Sequence, residues 1–176
     1  MRTTPSGRET TFDEHEIIVS KTDLTGKITY ANDVFVRVSG YTEAELLGQP
    51  HSLIRHPEMP RAVFKLLWDT LGRGREIFAY VNNMAKNGDN YWVFAHVTPS
   101  VGTNGAIVGY HSNRRVPARE AIGKVSALYA QLRREEQRHA DKRAGLDASS
   151  RMLEQALAGT GMPYEEFIFS ITPLEV

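Results

Sequence analysis

The sequence predicts an α+β architecture: one five-stranded antiparallel sheet with helices on one face, followed by a helical extension. Three observations predict it. Turn signals at Thr25-Gly26, Asn87-Gly88 and Asn104-Gly105 punctuate short runs rich in β-branched and aromatic residues. Capped apolar segments separate the first two runs from the last three. After Pro117 the apolar residues recur at helical spacing. The expected division is an N-terminal arm at 1–15, a principal domain at 16–116, and C-terminal helices with a tail at 117–176.

Each element follows from local chemistry. Ile17, Ile18 and Val19 begin a first strand, and Lys27–Tyr30 a second, across the Thr25-Gly26 turn. Asn32-Asp33 ahead of Val34, Phe35, Val36 and Val38 reads as a helix N-cap. Thr42 followed by Glu45 has capping-box spacing, and Gly48 stops that short helix. Residues 49–60 read as a loop, with prolines at 50, 57 and 60. A helix is expected from Arg61 to Leu71, with Val63, Leu66, Leu67 and Leu71 on one stripe and Trp68 beside it. Strands follow near 76–84, 90–99 and 106–116. In the middle one Tyr91, Val93, Ala95 and Val97 share a face, opposite Trp92, Phe94, His96 and Thr98. Ala121, Ile122, Val125, Leu128, Tyr129 and Leu132 make a helical stripe suited to a partner helix. The mixed-charge run Arg133–Arg143 reads as a solvated helix face broken by Gly145. Leu146, Met152, Leu153 and Leu157 suggest another helix, and the tail gathers Phe167, Ile168, Phe169 and Ile171.

Composition excludes several classes. The chain has 176 residues, a formal net charge of zero and no cysteine. Zero net charge offers no electrostatic footprint for nucleic acid or an anionic membrane. Without thiols there is no disulfide, iron–sulfur cluster or cysteinyl-flavin adduct. No apolar run approaches the ~20 residues that span a bilayer, and the polar start lacks a signal-peptide core. The expected location is the cytoplasm, with any membrane association through a partner. RGRE at 73–76 lacks G-x-G-x-x-G spacing, and neither HExxH nor G-x-S-x-G occurs. No catalytic residue, metal set or enzyme activity is expected.

The stretches ANDVF, SGYTEAELLGQPHSLIRHPEMP, FKLLW and KNGDNYWV are collinear with the strand–helix–strand order. Through them the chain resembles the flavin-binding PAS domain of the Aer type. EIFAYVNN, VTPS and the short helical tail resemble the stand-alone CetB-type energy-taxis proteins. The resemblance implies non-covalent FAD, a redox-sensing role in aerotaxis, and a separately encoded membrane chemoreceptor as partner. It places flavin binding on Asn32, Arg55, His56, Glu58 and Trp68. Glu58 stands where that type usually has Asp, and Ile77 where it has Trp. Flanking helices of this kind often mediate homodimers.

The residue types allow both functional and structural roles. A guanidinium such as Arg55 forks onto phosphate oxygens or answers a flavin edge; otherwise it is a solvated loop arginine. Trp68 offers a stacking platform or packs a core. Asn32 contacts ligand or only caps its helix, and Glu58 caps or pairs with an arginine. Asn83, Tyr91, Trp92 and His96 are sheet groups, of which those facing the helices would offer polar contacts. The alternatives are haem b held by His51, His56, His96 or His111, and a cofactor-free interaction module. A flavoenzyme would need a nicotinamide-binding signature, which the sequence lacks.

Overall fold

The computed structural model describes residues 3–173. It contains two compact units, Met1–His56 with Gly74–Pro117, and Pro57–Arg73 with Ala118–Val176. The helix Arg61–Gly72 therefore clusters with the C-terminal helices.

The first unit is built on five strands: β1 (Ile18–Thr22), β2 (Ile28–Ala31), β3 (Ile77–Met84), β4 (Asn90–Val101) and β5 (Ile107–Arg115). Every neighbouring pair is antiparallel, in the order β2-β1-β5-β4-β3. The expected five-stranded sheet is present, and long-range pairing puts β5 at its centre. Helix α1 (Asp33–Ser39) begins at Asn32, whose side-chain oxygen accepts from the Phe35 N–H. Helix α2 (Glu43–Leu46) has the full Thr42–Glu45 capping box. Within the expected loop, His51–Ile54 form a single 3-10 turn. Register assigns the faces: Ile18, Ser20, Ala79, Asn83, Tyr91, Ala95 and Arg114 share one. Phe35 of α1 lies over that face, its ring 4.5 Å from the Arg114 guanidinium.

The N-terminal arm is held more firmly than its polar composition suggests. Glu9 bridges Asn90 in parallel, and the Ser6 N–H donates to the Gly88 carbonyl at 2.9 Å. Arg8 Nε donates to Asp89 at 3.2 Å. Gly88 has φ +92°, and a Cβ there would lie 2.5 Å from the Thr4 carbonyl oxygen. The tight Asn-Gly hairpin thus doubles as the arm's docking point.

The second unit contains α3 (Arg61–Gly72), α4 (Arg119–Gln137), α5 (Lys142–Thr160) and α6 (Tyr164–Ile171). Two expectations are corrected. Gly145 breaks nothing: α5 is capped by the Asp141 side chain and runs through it. The Arg133–Arg143 run is not wholly solvated, because Glu136 within it is buried, at 3% exposure. The stripe Ala121, Val125, Tyr129, Leu132 is buried, as are Ile168 and Ile171 of the tail. The last tail residues, 174–176, lie outside the described residues. No described helix is long and apolar enough to cross a membrane.

Candidate functional site

The inner face of the first unit's sheet carries an unusual set of polar groups. Arg114 is 2% exposed, and it is an interior cation on β5. Its Nη2 donates to Ser20 Oγ at 2.5 Å, while Nε and Nη1 are buried without an acceptor among the described residues. Tyr91, on β4, is fully buried, and its hydroxyl has no hydrogen-bond partner among the described residues. Asn83, paired with Tyr91 across the β3–β4 ladder, buries an amide nitrogen that donates to no group among the described residues. All of these unmatched atoms can donate a hydrogen bond, and only the Tyr91 hydroxyl can also accept one. Native interiors satisfy most buried polar groups, so such a cluster is a strong pointer to a ligand rich in acceptors.

His51 completes this wall. Its Nε2 lies 3.1 Å from Ser20 Oγ, and its ring stacks on Phe35 at 6.0 Å. The residue as a whole is half-buried. Burial first, then the Arg114 and Arg55 charges, push its pKa down to about 3, so the imidazole is neutral. Burial likewise lowers Arg114 to about 10, which leaves it charged at neutral pH. The Tyr91 phenol is pushed up by burial and stays protonated.

The 3-10 turn delivers the next two residues to the edge strand. Arg55 bridges Asn83, and the His56 N–H donates to the Asn82 carbonyl at 3.3 Å. His56 is buried and Arg55 half-buried. Arg55, Asn83 and Tyr91 therefore come together with Arg114, His51 and Ser20, and His56 is tied to the same edge through its backbone. The other sequence candidates do not all join them. Asn32 commits its side chain to backbone: Oδ1 accepts from Val19 and Phe35, both at 3.0 Å, and Nδ2 donates to the Ile17 carbonyl at 2.8 Å. Trp92 and His96 lie on the opposite sheet face from Tyr91. There His96 stacks on Phe78 at 4.1 Å and meets Glu76 at 2.6 Å. Glu58 and Trp68 belong to the second unit; Glu58 is exposed, and Trp68 is 38% exposed on α3.

Sequence reasoning missed Arg114 and Ser20, and considered His51 only as a metal ligand. A strand carrying Tyr110, Ser112 and Arg114 on one face and His111, Asn113 and Arg115 on the other has no apolar side to declare which is inward. No group of His, Asp and Glu suited to a metal occurs among the described residues.

The unmatched donors suit a ligand with several hydrogen-bond acceptors. The pyrimidine edge of a flavin carries ring nitrogens and two carbonyls that could answer Arg114, Tyr91 and Asn83.

Comparison with known proteins adds family context. Residues 28–114 match the PAS fold family. The chain is 50% identical over 115 residues to the Aerotaxis receptor of Escherichia coli, covering 65% of this chain and 22% of that protein. It is 31% identical over 106 residues to the Nitrogen fixation regulatory protein of Klebsiella pneumoniae, covering 60% of this chain and 21% of that protein. The matched stretch is thus about a fifth of the length of these relatives. Among solved structures, the light state of the blue-light photoreceptor Aureochrome1 LOV is similar, with TM-score 0.53 and 25% identity. That match covers 69% of this chain and 91% of the other.

Proposed function

The chain belongs to the PAS family through residues 28–114, and from that premise we propose that it is an FAD-binding redox sensor reporting oxygen or energy status to a chemoreceptor-type membrane protein by direct contact. The observation that carries this reading is the buried donor cluster of Arg114, Tyr91 and Asn83. The 50% identity to a protein named for aerotaxis supports the sensory role. PAS domains of this kind are signalling elements, and the fold here supplies a wall for a ligand. Bound FAD would supply reversible electron uptake, with altered charge and hydrogen bonding at its N1 and N5 edges.

The chain's own residues have distinct parts in this reading. Arg114, Tyr91 and Asn83 donate to the ligand's acceptor edge. Arg55 and His56 are carried by the 3-10 turn to the edge strand β3 and register changes in ligand charge. The resemblance alone adds Trp68 and Glu58, of the second unit, to the residues proposed for flavin binding. Neutral His51, held by Ser20, orients the wall without adding to the charges of Arg114 and Arg55. A ligand state shifts the protein only by its differential affinity for two conformations. The elements proposed to respond are the 49–60 segment and the C-terminal helices, which would also serve homodimer and receptor contact.

The test is the visible absorption spectrum of protein purified in air, before and after dithionite. Bands near ~450 nm that bleach on reduction support the reading, since oxidised isoalloxazine supplies that chromophore. Extraction then separates FAD from FMN. A sharp Soret band would replace flavin with haem b. Colourless protein that fails to take up added FAD would leave a cofactor-free interaction module.

A further inference from the structure

Arg114 stands out even within the proposed pocket. A buried arginine is ordinarily matched by a carboxylate, because an isolated interior charge is costly. Here its contacts among the described residues are neutral: Ser20 Oγ at 2.5 Å and the Phe35 ring at 4.5 Å. The titratable groups acting on the wall are His51 of the 3-10 turn, Arg55 beyond it, Tyr41 ahead of α2, Tyr91 of β4 and Arg114 itself. None of these is a carboxylate. With His51 lowered to about 3 and Arg114 to about 10, the wall's charge is constant from weakly acidic to weakly alkaline pH. The interior therefore holds a fixed positive charge whose Nε–H and Nη1–H remain to be answered.

We propose that Arg114 sets the charge preference of the pocket, binding the reduced, N1-deprotonated form of the flavin more tightly than the neutral oxidised form. This rests on the flavin reading above. The balance is simple. Oxidised flavin takes up two electrons and one proton, the proton going to N5, and gains one net negative charge. In the test dithionite supplies the electrons, being oxidised to sulfite, and water supplies the proton. Above neutral pH the free reduced flavin is already this anion, so binding itself moves no proton. Arg114 acts by placing unmatched N–H donors and a charge where that anion is held, without exchanging a proton.

The experiment measures dissociation constants for oxidised FAD and for dithionite-reduced FAD under anaerobic conditions, on full-length protein stripped of ligand. The wild type is expected to bind the reduced form at least tenfold more tightly. In Arg114→Met this ratio is expected to fall at least tenfold, which for a two-electron couple lowers the midpoint potential by about 30 mV. Arg114→Lys keeps the charge and loses the fork, so both affinities fall while the ratio stays within about threefold of wild type. Arg114→Met binding both forms with the wild-type ratio would overturn the proposal. Should Arg114→Met not fold, Arg114→Lys decides: a ratio collapsed to unity overturns it. Wild-type protein that binds neither form sinks the flavin reading itself, an outcome distinct from an unchanged ratio.

Discussion

The Glu136 carboxylate accepts the backbone N–H of Ala62 at 3.1 Å, across 74 residues of chain. Ala62 lies in the first turn of α3, whose N-cap, Pro60, supplies no side-chain hydrogen bond. Helix N-termini expose N–H groups that need an acceptor, and a residue of α4 provides one. Ser149 Oγ donates to the same oxygen at 3.0 Å. Arg61 Nε and Arg133 Nη1 approach the other at 3.4 and 3.7 Å. One buried carboxylate thus ties α3, α4 and α5 together.

Removing that carboxylate strands its donors. Glu136→Ala is expected to cost about 3–5 kcal/mol, as for breaking a buried ion pair. Glu136→Gln keeps an acceptor for Ala62 and should cost about 1–3 kcal/mol, the scale of an imperfectly satisfied buried group. Urea unfolding of the two variants checks the order. Equal midpoints would show that the acceptor kept by Glu136→Gln contributes nothing once the charge is gone.

Two glycines in the same helix should respond with opposite signs. A Cβ at Gly145 would lie 2.7 Å from the Glu136 carbonyl oxygen, whereas Gly159 faces open space. Gly159→Ala should gain up to about 1 kcal/mol of helix propensity. Gly145→Ala should lose about 1–3 kcal/mol to overpacking despite the same propensity gain. Thermal unfolding of both variants measures the contrast.

His51 makes stability depend on pH. Its pKa is about 3 in the folded chain against an ordinary 6.5. Between these values the unfolded chain takes up a proton that the folded chain refuses. The stabilisation is therefore complete above pH 6.5 and is lost as pH falls, by about 1.4 kcal/mol per unit. His51→Gln removes the titration. The difference in unfolding free energy between wild type and variant should carry that slope between pH 6.5 and 4; parallel curves would refute it.

Trp68 and Arg55 distinguish ligand roles from structural ones. With Trp68 38% exposed, Trp68→Ala should cost no more than about 1–2 kcal/mol, below the loss for a fully buried aromatic. Both it and Arg55→Ala should lower the flavin content of purified protein. Stoichiometric flavin in both variants would remove these residues from the proposed site.

At Gly88, the positive φ and the 2.5 Å approach of the Thr4 carbonyl leave no room for a side chain. Gly88→Ala should loosen residues 3–10, read as faster amide exchange at Ser6 and Thr10, whose N–H groups donate to Gly88 and Asn90. Unchanged protection at both would contradict the docking role.

Much of the fold was legible because its signals are local. The Asn32 and Thr42 caps, the Asn-Gly hairpin and the alternation of β4 are each readable within a few residues, and the structure contains them as expected. What escaped depended on partners far along the chain. Glu136 looks like any charge in the Arg133–Arg143 run until α3 brings an uncapped N-terminus to it. Gly145 looks like a breaker until the close approach of α4 explains it. Arg114 sits in a strand polar on both faces, so only pairing with Ile18 and Ala95 reveals that it points inward. His51 followed from the same blindness, since nothing local announces Ser20 as its neighbour.

The unmatched donors on the inner wall also bear on how long the protein lasts in a cell. Each buried donor without an acceptor costs about 1–3 kcal/mol, and a domain's whole stability is only about 5–15 kcal/mol. Arg114, Tyr91 and Asn83 together commit a sizeable share of it. A ligand that answers them adds stability that grows with the logarithm of its concentration. Proteases that clear transiently unfolded chains would remove the unliganded form first. The abundance of the protein would then track the supply of its ligand, independently of any signal it sends.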